Sequence, residues 1–226
     1  MPNYVHVPAE GNHEDSPTSV GAMGLYENYV LPRVVDAVCA TRLLVPWRER
    51  TCAGLSGCIV EIGFGAGRNV PYYPDAVTTV YAVEPSTTSV AWAHRRHARS
   101  RVRIEHVGLD GSTVELGDES CDAALVTFTL CTVPDPLQVL DEVRRVLKPG
   151  GRLHFLEHGL APDPAVATWQ RRLDPIEQRL AGGCHLTRDA RALVVEAGFT
   201  IEQLEQRYVR GPKPWGYLTL GAARRP

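Results

Sequence analysis

The sequence predicts an α/β domain built on a mainly parallel sheet. Two observations carry that expectation. Short β-branched runs alternate with stretches of helical periodicity over most of the 226 residues, the pattern that lays parallel strands side by side under crossing helices. Near the end, two strand-like runs, "FTIEQLEQRYV" and "PWGYLTLGAAR", are separated by only "RGPK", which suggests a hairpin at one edge of the sheet.

The elements follow in order. From Leu25 to Thr51 the pattern is helical, with Val34, Val35, Val38 and Leu43 near one face. "CIVEIGF" is a short β-branched run and the first strand. "VTTVYAVEP" is the second, stopped by Pro85, and Ser86 or Thr87 caps the helix "TTSVAWAHRRHARS". "VRIEHVGL" and "DAALVTFTL" are the third and fourth strands. "DPLQVLDEVRRVL" is an amphipathic helix ending at the stop signal "KPGG". "RLHFLEHG" is the fifth strand, followed by a polar, helical stretch from Leu160 to Ala197. The N-terminal "MPNYVHVPAEGNHEDSPTS" reads as a poorly ordered arm, residues 1–20, ahead of a single domain over 21–226.

Composition narrows the function. The formal net charge is −2, so there is no bulk attraction for nucleic acid or anionic lipid. The basic run "HRRHARSRVR" lacks interleaved aromatics and reads as a solvated surface. No apolar run approaches the length of a membrane helix, and the N-terminus lacks the pattern of a signal peptide. The six cysteines show no C-x-x-C or regular spacing, which points to a reduced, cytoplasmic protein without a disulfide framework or zinc motif.

The stretch "VEIGFGAGRN", Val60 to Asn69, follows the first strand, where an open α/β sheet binds its ligand. A phosphate loop would end in Gly-Lys-Ser/Thr, and a dinucleotide loop needs G-x-G-x-x-G. Here Gly63, Gly65 and Gly67 form G-x-G-x-G, followed by Arg68 and Asn69. Glu84 ends the second strand about twenty residues later, where a carboxylate accepts both hydroxyls of a free ribose. No tyrosine has a lysine four residues on, which weighs against a nicotinamide oxidoreductase. Glu61 would repel a pyrophosphate and suit an ammonium group. S-adenosylmethionine offers adenosine, a sulfonium and an amino-acid end, with no phosphate.

With these residues in place, "EIGFGAG", "VEP", "LDGSTVELGDESCDAALVTFTL" and "LKPGG" together resemble the class I S-adenosylmethionine-dependent methyltransferases of the small-molecule type, over about Leu25 to Arg224. "FTLCTVPDPLQVLDEVRRVLKPGGRLHFLEHG" and "WQRRLDPIEQRLAGGCHLTRDARALVVEAGF" are similar, more narrowly, to the methyltransferase-like thiol S-methyltransferases, membrane-associated in animals. This chain does not show their apolar N-terminal anchor, so the resemblance implies a soluble bacterial relative. It further implies a Rossmann-like, seven-stranded mixed sheet in the order 3-2-1-4-5-7-6, strand seven antiparallel, with helices on both faces. It places Gly63, Gly65 and Gly67 at the methionine end, Glu61 at its ammonium, Glu84 with Pro85 at the ribose, Asp110 and Gly111 at the adenine, and Thr127 to Leu130 under the sulfonium. Close relatives often carry Ala-Glu or Gly-Glu where this chain has Gly111-Ser112. S-adenosylhomocysteine would be the product.

The acceptor would sit between an N-terminal helical cap, residues 21–52, and a lid, residues 159–186, hinged at Gly182-Gly183. Methyl transfer needs in-line positioning more than a nucleophile, and a thiol is already partly ionised. His158, just after the fifth strand, is the first candidate for a base or thiolate partner. His185 is a second, or caps a helix near Thr187. Asp174 orients a histidine or starts a helix turn. Cys131 and Cys184 read as packing residues, or as thiol-exchange groups. Tyr26 and Tyr29 wall the site or pack the helix.

The expected function is methyl transfer to a small molecule, first a thiol, by a monomer or homodimer without nucleic acid or a membrane span. Its rivals are O-, N- or C-methylation of a small aromatic, quinone-like or lipid acceptor, and a cofactor-binding regulatory protein without catalysis.

Overall fold

The computed structural model describes residues 30–226 and the backbone of Tyr4–His6. The expected order and topology are present. The strands are β1 (Tyr4–His6), β2 (Gly57–Ile62), β3 (Val77–Val83), β4 (Arg103–Gly108), β5 (Cys121–Thr127), β6 (Leu147–His158), β7 (Thr200–Tyr208) and β8 (Tyr217–Arg224). The helices are α1 (Leu31–Cys39), α2 (Val45–Cys52), α3 (Thr87–His97), α4 (Pro136–Val146), α5 (Pro164–Leu180) and α6 (Ala190–Glu196).

The sheet runs β1-β4-β3-β2-β5-β6-β8-β7. Counting strands from β2, this is the seven-stranded order 3-2-1-4-5-7-6. β8 is antiparallel to both neighbours, β6 and β7, as the late hairpin foretold. β1 is an eighth strand, inside the stretch expected to be an arm; it pairs in parallel with β4, Tyr4 opposite Ile104. Its "YVH" has β-favouring residues but is too short to stand out. The rest of that arm, with Tyr26 and Tyr29, lies outside the described residues.

Alternation along β2 divides the core. Val60 and Ile62 pack with Leu140, Val143 and Phe155 on one face, whereas Ile59 packs with Phe64, Val80 and Leu125 on the other. Caps fall where short polar side chains were placed: Ser86 accepts the Ser89 N–H for α3, and Asp135 accepts those of Leu137 and Gln138 for α4.

Three expectations change. Among the described residues, the N-terminal helical stretch is two helices broken by a 3₁₀ turn at Arg42–Leu44. The apolar face expected to be buried points outward: Val34, Val35 and Val38 of α1, and Leu43 of the 3₁₀ turn, are all exposed. "KPGG" does not merely stop a helix, since β6 already begins at Leu147, and its register with β5 shifts between Cys121 and Ala123 to absorb these residues.

Candidate active site

The sheet order reverses between β3-β2 and β5-β6, so the loops leaving β2 and β5 diverge and open a crevice at their carboxyl ends. The glycine loop enters it from β2. Gly63, Gly65 and Gly67 all adopt left-handed backbone, with φ of 73°, 55° and 72°, which only glycine takes without strain. A side chain at Gly63 would overlap Thr129, and a Cβ at Gly67 would sit 2.7 Å from His97. At Gly65 the nearest atom would be 4.0 Å away, so the loop leaves open space there for a ligand to approach the backbone.

Glu84, at the end of β3, is buried and tied to that loop. Its Oε2 accepts the Gly65 N–H at 2.8 Å, and its Oε1 accepts the Ser86 N–H at 2.9 Å. Burial pushes its carboxyl up, and the two N–H bonds restrain the rise. Each oxygen keeps accepting capacity, so a ribose fits here. Pro85 beside it is exposed.

Glu61 is enclosed by protein groups. Asn69 donates to its Oε1 at 2.8 Å, Tyr73 donates its hydroxyl to Oε2, and Asn69 also reaches Thr127 Oγ1 at 2.9 Å. Arg48 from α2 completes the chain by donating to Asn69 Oδ1 at 2.6 Å. Burial pushes Glu61 up to about 7, against the lowering effect of Tyr73, Asn69 and Arg48. Asn69, Tyr73 and Arg48, which hold and enclose this acid, carried no local signal as site residues. A cavity of about 240 Å³ opens beside it, bordered by Cys39, Arg48, Ala66, Gly67, Arg68 and Arg96. Arg68 and Arg96 both clamp Asp36 of α1, holding its carboxyl down to about 2 despite burial. Part of the basic run is thus structural: Arg96 is paired, and His97 lies under Gly67.

The turn after β5 is the second wall. Phe128 has a φ of 55°, a left-handed backbone that costs about 1–3 kcal/mol in a non-glycine residue. The following residues are caught by one carboxylate. Glu157 Oε1 accepts the N–H groups of Thr129 at 2.8 Å and Leu130 at 3.1 Å, and Oε2 accepts that of Cys131 at 3.3 Å. Burial and the neighbouring Cys131 push the Glu157 carboxyl well up, while the three N–H bonds oppose this. The sequence marked Glu157 only as part of the fifth strand, "RLHFLEHG". Leu130 and Thr127 are buried in this turn.

In the loop after β4, Asp110 is exposed and accepts the N–H and hydroxyl of Ser112 at 2.8 and 2.7 Å. Those bonds hold its carboxyl down. Gly111 has a packing reason to be glycine, since a Cβ would stand 2.6 Å from Ile62.

His158 closes the other end of the crevice, at the last residue of β6. Its Nε2 lies 3.1 Å from Cys184 Sγ, and its Nδ1 is buried with no partner among the described residues. Burial alone would lower this imidazole, but the sulfur of Cys131 raises it above its ordinary value. Cys131, receiving the Cys184 thiol's hydrogen bond and facing His158, is held well toward thiolate. The packing reading of these two cysteines therefore captures their burial and misses their company.

His185 and Asp174 do not join His158. His185 Nδ1 faces Asp174 Oδ2 at 3.4 Å, and the Asp174 carboxylate also takes the Leu186 N–H at 2.6 Å and the Gln178 amide at 2.7 Å. Asp174 lies inside α5, so it starts no helix turn. The His185 backbone N–H donates to Cys131 at 2.7 Å, and Arg188 donates to the carbonyls of Leu130 and Val133, both at 2.6 Å. These bonds pin the segment that follows α5 to the turn after β5. Gly182 and Gly183, at φ of 61° and 87°, form the bend that returns it.

Comparison with known proteins agrees with this geometry. Residues 60–155 match a family model described as a methyltransferase domain. A thiol S-methyltransferase of Rattus norvegicus is 36% identical over 169 residues, covering 72% of this chain and 66% of that protein. One from Homo sapiens is 34% identical over 176 residues, covering 74% and 69%. The chain thus spans about two thirds of the length of these relatives. A crystal structure of a SAM-dependent methyltransferase from Thermotoga maritima superposes with a TM-score of 0.63 at 22% identity, covering 90% of this chain and 99% of that one. Among the described residues no helix is long and apolar enough to cross a membrane. The glycine cradle open at Gly65 and the carboxylate of Glu84 fit S-adenosylmethionine, and the chain belongs to the class I S-adenosylmethionine-dependent methyltransferases, in the family of the thiol S-methyltransferases.

Proposed function

We propose that the chain transfers a methyl group from S-adenosylmethionine to a small-molecule thiol. The observation that carries this reading is the buried imidazole of His158 facing sulfur at the mouth of the crevice, 3.1 Å from Cys184 Sγ. An imidazole raised by a neighbouring sulfur is suited to stabilise a thiolate. The likeness to named thiol S-methyltransferases supports the same acceptor.

When bound, S-adenosylmethionine supplies a methyl carbon already activated by positive sulfur. The chain's own work is then to bind, orient and exclude water. Glu84 holds the ribose, with Pro85 at its side. Gly63, Gly65 and Gly67 admit the methionine end, and the carboxylate of Glu61, held by Asn69 and Tyr73, receives its ammonium. Asp110, with Gly111 behind it, meets the adenine. The Thr127–Leu130 stretch runs beneath the sulfonium and is kept in shape by Glu157. The lid excludes water, held by Asp174, His185 and Arg188. His158 takes or balances the acceptor's proton. We place the protein in the cytoplasm, where its free cysteines stay reduced, acting as a monomer or homodimer on a small molecule.

The test is transfer of labelled methyl from S-adenosylmethionine to a panel of small thiols, phenols and amines. Labelled thioether is the expected product. Label confined to phenols or amines would discard the thiol assignment and leave the family intact.

A further inference from the structure

We propose that Cys131, His158 and Cys184 bind a zinc ion through two sulfurs and one ring nitrogen, leaving a fourth position open. The three donor atoms lie within 4.8 Å of one another. Tetrahedral zinc, with bonds of about 2.3 Å to sulfur and 2.0 Å to nitrogen, spaces such donors by roughly 3.5 Å. His158 Nε2 already stands 3.1 Å from Cys184 Sγ, so small side-chain adjustments seat the ion.

The donors come from three separately fixed segments. Cys131 follows β5, where Glu157 takes its N–H at 3.3 Å and His185 donates to its carbonyl at 2.7 Å. His158 ends β6 and is held by pairing with Leu218 of β8. Cys184 sits after the Gly182-Gly183 bend, its N–H bonded to the Ala181 carbonyl at 3.2 Å. A site this far preorganised loses little order on binding. The donor set itself selects the ion: thiolate and imidazole suit zinc, whereas calcium and magnesium demand oxygen.

Binding would release to solvent whatever protons the three donors still carry, since the ion takes thiolate sulfur and neutral imidazole. It would also join the lid, through Cys184, to the turn and strand that build the cofactor crevice. Three protein ligands and one open position are the pattern of a catalytic rather than a structural zinc site. A thiol entering that position would give up its proton to solvent, because coordination deprotonates it outright. This last role rests on the thiol reading; the binding of the ion does not.

The experiment uses the full reduced chain, stripped with a chelator and titrated with cobalt(II) as an optical stand-in for zinc. One equivalent should bind with intense sulfur-to-cobalt charge-transfer absorption and be displaced by zinc. Cys184→Ser and His158→Asn, each checked for native circular dichroism, should weaken binding by about 100-fold or more. Cys58→Ser, remote from the cluster, should leave it unchanged. No charge-transfer absorption, or absorption that survives both cluster variants, overturns the site. Ethanethiol added to the cobalt-loaded protein should deepen the absorption; an unchanged spectrum refutes the thiolate role and leaves ion binding standing. Methyl transfer, scored separately, reports on the acceptor reading alone.

Discussion

Gly65 donates its backbone N–H to Glu84 at 2.8 Å, so the acid at the end of β3 is clamped to the loop leaving β2. One carboxylate thereby fixes the loop and offers its remaining lone pairs to a ribose. Glu84→Ala should weaken S-adenosylmethionine binding by about 1–3 kcal/mol. Titration calorimetry measures this directly, and an unchanged affinity would remove Glu84 from the ribose site.

Glu157 serves three consecutive N–H groups behind a left-handed Phe128. Glu157→Ala would strand those buried donors, each worth about 1–3 kcal/mol when unsatisfied. A loss of at least about 3 kcal/mol in denaturant unfolding is expected, with the larger part recovered in Glu157→Gln, which keeps one accepting oxygen. Equal stability of wild type and Glu157→Ala would show that the turn holds its shape without the carboxylate.

Glu61 predicts a pH dependence. Its carboxyl is pushed from 4.5 up to about 7 by burial, so the folded chain holds this proton more tightly than the unfolded one. The resulting stability is complete below the unfolded value and is lost as pH rises through about 7. Wild type minus Glu61→Gln should therefore fall by roughly 3 kcal/mol across that window. Unfolding curves at several pH values test it; parallel curves for the two proteins would contradict the assignment. An ammonium partner favours ionised Glu61, so cofactor binding below pH 7 should also release a proton.

His158→Ala separates chemistry from binding. Turnover should drop by about 100-fold, the scale of a lost proton-handling group, while cofactor affinity stays unchanged. Equal turnover would return His158 to packing. The lid pair gives a contrast: His185→Ala should mainly loosen the lid, raising the acceptor KM more than it lowers kcat.

Much of this protein is local and therefore legible. The period of the apolar residues sets which segments are strands and helices. The need for left-handed backbone marks Gly63, Gly65 and Gly67, and a carboxylate at the end of β3 marks Glu84, both identifiable from spacing. What spacing cannot carry is contact between distant segments. Cys131, His158 and Cys184 share no motif, and only the packing of the lid on the sheet brings them together. Arg48 reaches Asn69 across 21 residues, and Glu157 reaches back to Thr129 across 28; neither pairing has a periodic signature. Asp174, buried within α5, and His185, after the Gly182-Gly183 bend, were singled out by residue type, and the folded chain pairs them with each other rather than with His158. The sequence by itself determined which segments are strands and helices and where the glycine loop and Glu84 lie, because these follow from local periodicity and spacing. The resemblance of its motifs to a known family supplied the strand order, the family and, with Glu61 and Glu84, the cofactor. The tertiary structure decided which side chains meet, because desolvation and hydrogen-bond satisfaction act only once the chain has closed on itself.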